Sequence, residues 1–290
     1  IQKDMKNKIG VNSRLNKKNT LRIGAHYLND LQQVGRSFSQ INFDHTLGSL
    51  AQVGETTSLN YISEFEGYFE SELFKGGLIR VGYFNKQFAP VSGNSFNRLG
   101  PTPGDTLNIE SYHSSGLRGT FKLSYLFADL KGDFYDRKDL YSEFRRFPDI
   151  AILYDYSSKK LFGSQFDYQK VKMSIRQKMN LKKLGNLRYT IEAGKTIGEV
   201  PYMFLDIPFG NQLVISDIYS FNLMNFMEYA ADEYVLLHLT HHFNGLILDK
   251  IPLINQLKLR SIVFGKAFIG NLSTINNQRT DLFPKGLTGI

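Results

Sequence analysis

The sequence predicts an all-β chain folded as an antiparallel transmembrane β-barrel of the outer-membrane type. Three observations predict it. Apolar and polar residues alternate with period two along most of the 290 residues, and a strand sends alternate side chains to opposite faces. Aromatic residues gather where those runs meet the connections, as at the two interfaces of an outer-membrane barrel. The connections alternate between tight turns and long excursions, which is also a barrel habit. A soluble sandwich alternates too, but its strands usually run about 5–6 residues. Here about ten to twelve runs of about 9–12 residues are expected, near the length a tilted strand needs to cross a bilayer.

Taken in order, Tyr61, Ser63, Phe65, Gly67 and Phe69 oppose Ile62, Glu64, Glu66, Tyr68 and Glu70. Lys75-Gly76-Gly77 supplies a turn, after which Ile79, Val81 and Tyr83 oppose Arg80, Gly82 and Phe84. Phe121, Leu123, Tyr125 and Phe127 alternate with Lys122, Ser124, Leu126 and Ala128. From Val171 to Met179 one face reads Val171, Met173, Ile175, Gln177 and Met179, and the other reads Lys172, Ser174, Arg176 and Lys178. Lys182-Lys183-Leu184-Gly185-Asn186 holds a Gly-Asn pair suited to a tight hairpin. Leu187, Tyr189, Ile191 and Ala193 then alternate with Arg188, Thr190 and Glu192. Val235, Leu237, Leu239 and Phe243 share a face opposite Tyr234, Leu236, His238 and His242. The aromatic flanks are Tyr83, Phe84 and Phe88; Phe134 and Tyr135; Tyr154 and Tyr156; and Phe162, Phe166 and Tyr168.

Helical signals are poor. Asn222–Ala231 and Ile251–Leu257 are the two short candidates, the second opened by Asp249 and Pro252 as a helix start or a single turn between strands. The longest loops are Pro90–Pro103 and Gly198–Gly210. Alternation resumes after each, so residues 1–290 read as a single barrel domain.

Bulk composition narrows the chemistry. The chain has 23 Phe and 16 Tyr but no Trp, and its 25 Gly and eight Pro are too few for a disordered linker. Without cysteine, disulfide scaffolds, thiolate metal sites and cysteine nucleophiles are excluded. No run of 18 apolar residues exists for a transmembrane helix. The opening Ile1-Gln2-Lys3-Asp4-Met5-Lys6 has no apolar stretch behind its lysines and does not read as a signal peptide. A net charge of +8 is compatible with several anionic partners.

Beyond composition, the run Phe221-Asn222-Leu223-Met224-Asn225-Phe226-Met227-Glu228-Tyr229, followed by Asp232-Glu233-Tyr234-Val235, carries a family resemblance. His241-His242-Phe243-Asn244-Gly245, Lys250-Ile251-Pro252-Leu253-Ile254 and Phe283-Pro284-Lys285-Gly286-Leu287 extend it. From about Phe65 onward the chain resembles a Gram-negative outer-membrane β-barrel family of unknown function. The last seventy or so residues match well and the middle more loosely. In that family a carboxypeptidase-regulatory-like domain usually precedes the barrel. The resemblance implies an architecture and a location, the cell outer membrane, but no activity. No regulatory-like domain is visible at the N-terminus, and no closing strand with a terminal aromatic follows Gly289-Ile290. The expectation is therefore a partial barrel, incomplete at both ends.

Candidate chemistry is thin. Gly194-Lys195-Thr196 resembles the end of a phosphate-binding loop, but Tyr189 stands where the earlier glycine belongs, and Pro201 and Pro208 oppose a following helix. His238, His241 and His242 lie near Asp232 and Glu233. On a strand His241 and His242 face opposite sides, and His238 and His242 are roughly 13 Å apart at ~3.3 Å per residue. Polar residues lining one face and a strand end explain them better than a metal site. Gly-x-Ser-x-Gly and His-Glu-x-x-His are both missing. Glu64, Glu66 and Glu70 share a face, as in a polar lumen, and a glycosidase pair would need convergence across a cleft. Lys172, Arg176, Lys178, Arg188, Arg145 and Arg146 are not interleaved with aromatics on one face, so nucleic acid is not the expected partner. No catalytic, cofactor-binding or metal residue is assigned, and no cofactor is expected. The expected role is transport, anchoring or assembly of envelope components without catalysis. Outer-membrane lipid, and other envelope proteins, are the expected partners. A soluble or surface-attached β-rich binding protein is the alternative.

Overall fold

The structure is a computed structural model. It describes residues 7–15, 21–33, 59–74, 76–90, 96–99, 106–109, 111–124, 147–210, 220–225, 228–252, 254–277 and 288–289. Fourteen strands occur among them. In chain order they are β1 (Asn7–Arg14), β2 (Arg22–Gln33), β3 (Leu59–Phe74), β4 (Gly77–Pro90), β5 (Phe96–Leu99), β6 (Thr106–Ile109) and β7 (Tyr112–Leu123). There follow β8 (Asp149–Ser157), β9 (Tyr168–Asn180), β10 (Asn186–Gly198), β11 (Tyr229–Ala230), β12 (Glu233–Asn244), β13 (Ser261–Asn271) and β14 (Thr288–Gly289).

Ten of these form one sheet in the order β1-β2-β3-β4-β7-β8-β9-β10-β12-β13. Every pairing in it is antiparallel and joins strands adjacent in the chain or separated only by short accessory strands. The fold is therefore an up-and-down meander, all-β as the alternation predicts. Among the described residues the sheet stays open, with β1 and β13 each hydrogen-bonded on one side only.

Strand length departs upward from the expectation at β3, which runs 16 residues, and β4, which runs 14. β3 alternates as far as Glu70, after which its register with β4 shifts between Glu72 and Phe74, and Leu73 and Phe74 are both exposed. The β9–β10 hairpin turns through a 3-10 turn at Lys182–Leu184 and Gly185, whose φ is +97°. Glycine is required there: a Cβ would collide with the carbonyl of His242 on β12.

Two expectations need correction. Asn222–Ala231 is not a helix: Phe221 bridges Gly210, and Tyr229–Ala230 forms β11. Short apolar runs cannot distinguish helix from extended chain by periodicity alone, and here pairing with other chain segments decides. Ile251–Leu257 carries the single turn between strands that is one of its two expectations, a 3-10 turn at Ile254–Leu257 between β12 and β13. Pro90–Pro103 is interrupted by β5, which pairs with β6. Residues 91–95 and 100–105, Tyr125, Phe127, Phe134, Tyr135, Arg145, Arg146, Phe226, Met227, Leu253 and the Phe283–Leu287 run lie outside the described residues.

The two faces of the sheet differ. One is bare: Phe65, Phe69, Val81, Leu117, Val171, Met173, Ile191 and Val235 all project into open space. The other is covered. Residues 199–210, between β10 and β12, fold back across it, and Val200, Met203, Phe204, Leu205 and Ile207 pack against Ile62, Phe84, Phe88, Tyr112 and Tyr168. That contact is the main buried apolar cluster of the described chain.

Candidate functional site: the covered face of the sheet

Alternation places one residue in two on the covered face, and in the middle strands these residues are charged. Arg118 on β7 lies at the centre. Its Nε and Nη2 donate to the two carboxylate oxygens of Asp155 at 2.8 and 3.1 Å. Its Nη1 donates to Glu64 at 2.5 Å and to Glu66 at 2.9 Å. Such a planar fork matches carboxylates in pairs, which an ammonium cannot do. Lys86 approaches Glu64 at 3.5 Å. Further along, Glu70 is shared by Arg22 at 3.5 Å and Arg80 at 2.7 Å. Glu192, 1% exposed, accepts a hydrogen bond from the Tyr234 hydroxyl at 2.6 Å.

The covering segment is tied to this charged face by polar contacts as well as packing. Lys170 donates to the Phe204 carbonyl at 2.6 Å and lies 3.3 Å from Asp206. Lys172 donates to the other oxygen of Asp206. Burial alone would raise the Asp206 carboxyl, but Lys170 and Lys172 outweigh it and hold it below the ordinary carboxylate range. Burial also pushes the Tyr202 phenol up to about 12, so it stays protonated. From the far side, Lys266 on β13 donates to the Ser220 carbonyl at 2.6 Å, and the Phe221 ring rests 5.2 Å from that of His238.

A third anchor closes the segment's ends. Asp232 accepts hydrogen bonds from the Ser273 amide and hydroxyl and from Asn276 Nδ2. Asn276 Oδ1 in turn accepts from the Val200 amide at 3.1 Å. The single helical turn Thr274–Asn277 thereby locks both ends of the covering segment to the end of β13.

The residues singled out from sequence distribute as follows. Glu64, Glu66, Glu70, Lys172, Arg176, Lys178 and Arg188 do share the covered face, by the registers of β2–β3 and β8–β12. His238 and His242 share it, while His241 points to the other side and meets the Leu184 carbonyl at 2.8 Å. No group of three His, Asp or Glu among the described residues is placed to hold a metal ion. Lys195 of the Gly194-Lys195-Thr196 run lies on the bare face, paired with Glu233 at 2.9 Å. Asp206, Arg118 and Asp155 were not picked out by pattern. Arg118 and Asp155 had a signal, since each alternates with apolar neighbours, but Asp206 is placed by a fold-back that periodicity does not encode.

The aromatic flanks need a further correction. Tyr83, Tyr156 and Phe162 do gather on the bare face, with ring separations of 6.1 and 6.4 Å. Phe84, Phe88, Phe166 and Tyr168 do not. They face the covered side and pack around Phe204 or in the same cluster. A strand alternates, so an aromatic pair such as Tyr83-Phe84 must divide between the two faces.

The molecule is thus an all-β meander with one apolar bare face and one charged, covered face. The chain belongs to a family of unknown function (DUF5686), matched through its C-terminal domain over residues 83–274. Its fold is similar to that of BamA from Haemophilus ducreyi, solved without POTRA domains 1–3, with a TM-score of 0.54 at 11% identity. That likeness covers 94% of this chain and 51% of the other, so the chain spans about half the length of that structure. No curated protein matches the sequence. No helix among the described residues is long and apolar enough to cross a membrane.

Proposed function

We propose that the ten-stranded sheet is part of the wall of an outer-membrane β-barrel, with its bare face toward lipid and its covered face toward the lumen. In this reading the protein serves transport, anchoring or assembly of envelope components and carries out no catalysis. The observation that carries the reading is the contrast between faces. Phe69, Val81 and Val235 are 57%, 51% and 50% exposed on the bare side, while Glu64, Glu66 and Asp155 are buried around Arg118 on the other. A soluble protein rarely leaves so extended an apolar surface in water, whereas a barrel wall requires one. The fold likeness to the BamA barrel supports the same architecture. Closure would satisfy the edge groups of β1 and β13, as a bilayer demands.

Its partners in this reading are outer-membrane lipid and other envelope proteins. A soluble or surface-attached β-rich binding protein is the second reading, favoured by the apolar cluster beneath residues 199–207, which would serve as its core. Cell fractionation of the complete protein, followed by gel migration with and without boiling, separates the two. Recovery in the outer-membrane fraction with a boiling-dependent shift is expected. Recovery as a soluble monomer without a shift would discard the barrel.

A further inference from the structure

Two turns at opposite ends of β9 carry the same three residues in the same order. Lys159-Lys160-Leu161 precedes the strand and Lys182-Lys183-Leu184 follows it. Each triplet lies in a short helical turn, Lys159–Phe162 in the first case and Lys182–Leu184 in the second. All four lysines are exposed, and Leu161 and Leu184 protrude at 69% and 57%. Both turns lean to the bare face of the sheet. Phe162 packs against Tyr83 and Tyr156, which share that face with Leu117 by register. The Leu184 carbonyl accepts a hydrogen bond from His241, on the same face, at 2.8 Å, and the His241 ring lies 4.2 Å from that of Phe243. An asparagine or aspartate fixes each backbone without using an ammonium group: the Lys159 amide donates to Asp167 at 2.8 Å, and the Lys182 amide donates to Asn180 at 2.7 Å. The spacing of the turns is set by β9, which has 13 residues. At ~3.3 Å per residue that strand is ~40 Å long, and a tilt of about 35–45° leaves ~30 Å along a barrel axis. The hydrocarbon core of a bilayer is about 30 Å thick.

We propose that the two Lys-Lys-Leu turns are paired anchors for anionic phospholipid, one at each headgroup layer of the membrane. Lys159, Lys160, Lys182 and Lys183 contact headgroup phosphates, while Leu161 and Leu184 enter the acyl boundary. The inference rests on the bare face being the lipid-facing wall, and it adds the headgroup chemistry that this wall recognises. A lysine suits the place because its apolar stem lies along hydrocarbon while its ammonium stays among polar groups. Basic residues at a membrane surface are drawn to anionic lipid. The rings beside each turn, Tyr83 and Tyr156 at one end and His241 at the other, have an apolar body and a polar tip, as residues at headgroup level do. The duplication favours lipid over a protein partner. A bilayer offers two equivalent phosphate planes about one tilted strand apart, whereas a protein docked at one end of the sheet leaves the second turn unexplained.

The test uses the complete protein reconstituted into vesicles of phosphatidylcholine alone, and of phosphatidylcholine mixed with phosphatidylglycerol. Samples in urea are heated stepwise, and the temperature at which folded gel migration gives way to unfolded migration is read. Wild type should unfold at a higher temperature in the mixed vesicles, and that rise should shrink in high salt. K159Q/K160Q and K182Q/K183Q should each lose part of the rise, and the combined fourfold variant should lose it. Arginine at all four positions should keep it. L161Q and L184Q should lower the unfolding temperature equally in both kinds of vesicle and leave the rise in place. An unchanged temperature in both leucine variants would take the turns out of the membrane and overturn the proposal. So would a wild type without the rise, or the full rise surviving in either lysine double variant. The same gels keep the two readings apart. A wild type that never shows folded migration removes the barrel, whereas folded migration with one unfolding temperature in both vesicles removes the anchors alone.

Discussion

Along β3, Glu64, Glu66 and Glu70 sit one residue away from Phe65, Gly67 and Phe69, yet the two sets meet unlike surroundings. The carboxylates are buried and held by arginines, while Phe65 and Phe69 stand 44% and 57% exposed. In a soluble protein the polar face would be the open one and the phenylalanines would be covered. Here the relation is inverted. What the comparison teaches is that the charged side is shielded by the protein's own chain, and that the proposed lipid-facing wall would give the bare phenylalanines the apolar medium that water does not. Each prediction below breaks or sharpens that contrast.

The largest effect belongs to the centre of the covered face. Arg118→Ala removes the guanidinium that bridges Glu64, Glu66 and Asp155, and leaves Lys86 at 3.5 Å from Glu64 and His26 at 3.9 Å from Glu66. Removing one partner of a buried ionic cluster costs about 3–5 kcal/mol. Denaturant unfolding of the reconstituted protein measures it. A loss below about 1 kcal/mol, typical of a surface ion pair, would mean that water reaches the cluster and the contrast between faces is weaker than drawn.

A charge moved by one residue tests the faces directly. Ile175 points to the bare side of β9 and Arg176 to the covered side, opposite Thr190. Ile175→Arg should cost ~2–4 kcal/mol if it lies near the bilayer midplane, and Arg176→Ile should change insertion far less. Comparing the folded fraction in vesicles gives the answer, and equal losses would reverse the assignment of the faces.

A smaller loss is expected at the covering segment. Asp206→Asn removes its charged link to Lys170 and Lys172, and hydrogen bonds to charged groups contribute about 1.5–3 kcal/mol. The wild-type link should also depend on pH. The folded carboxyl is held below its ordinary value, so the link contributes fully above about pH 4, the usual aspartate value. It is lost as pH falls through the lower, folded value. Limited proteolysis within residues 199–232 reads the release. Cleavage that begins at the same pH in wild type and Asp206→Asn would show that another group fastens the segment.

How much of this was legible in the sequence follows from the range of each interaction. The faces of β3, β9 and β10 follow from period two because the pleat is local. The partnership of Arg118 with Glu64 and Glu66 on the same face follows only once β3, β4 and β7 are known to be neighbours. The sequence of Gly198–Gly210 reads as a plain loop, since the apolar residues of its Val200–Ile207 fold-back follow no period and meet their partners at Ile62, Phe88 and Tyr112, far away in the chain. Phe84 and Phe88 did leave a trace: they are apolar residues in phase with the charged positions Arg80 and Lys86. An apolar residue on an otherwise charged face needs a cover, and that argument could have located the segment's landing site. The Asn222–Ala231 helix fails for the complementary reason, because a ten-residue stretch of mixed apolar and polar residues has no preference strong enough to resist pairing elsewhere.

The smallest effect locates the edge of the apolar band. Lys195 and Glu233 pair on the bare face and are 54% and 55% exposed at their side chains. They lie at the end of β10 where Tyr154 bonds Gln169 and Asn85 meets His113, all polar contacts on the same side. The tyrosines and Phe162 cluster beside them, as an interfacial girdle would. At such a position the pair is hydrated, and Lys195→Ala should change stability by less than about 1 kcal/mol, diminishing further in high salt. Within hydrocarbon the same substitution would strand Glu233 as an unpaired charge at several times that cost. A near-zero value therefore puts the water boundary at or below Lys195 and assigns the aromatic cluster to the interface. A large one would extend the hydrocarbon past the strand ends and require the band to be redrawn around the turn at Gly198.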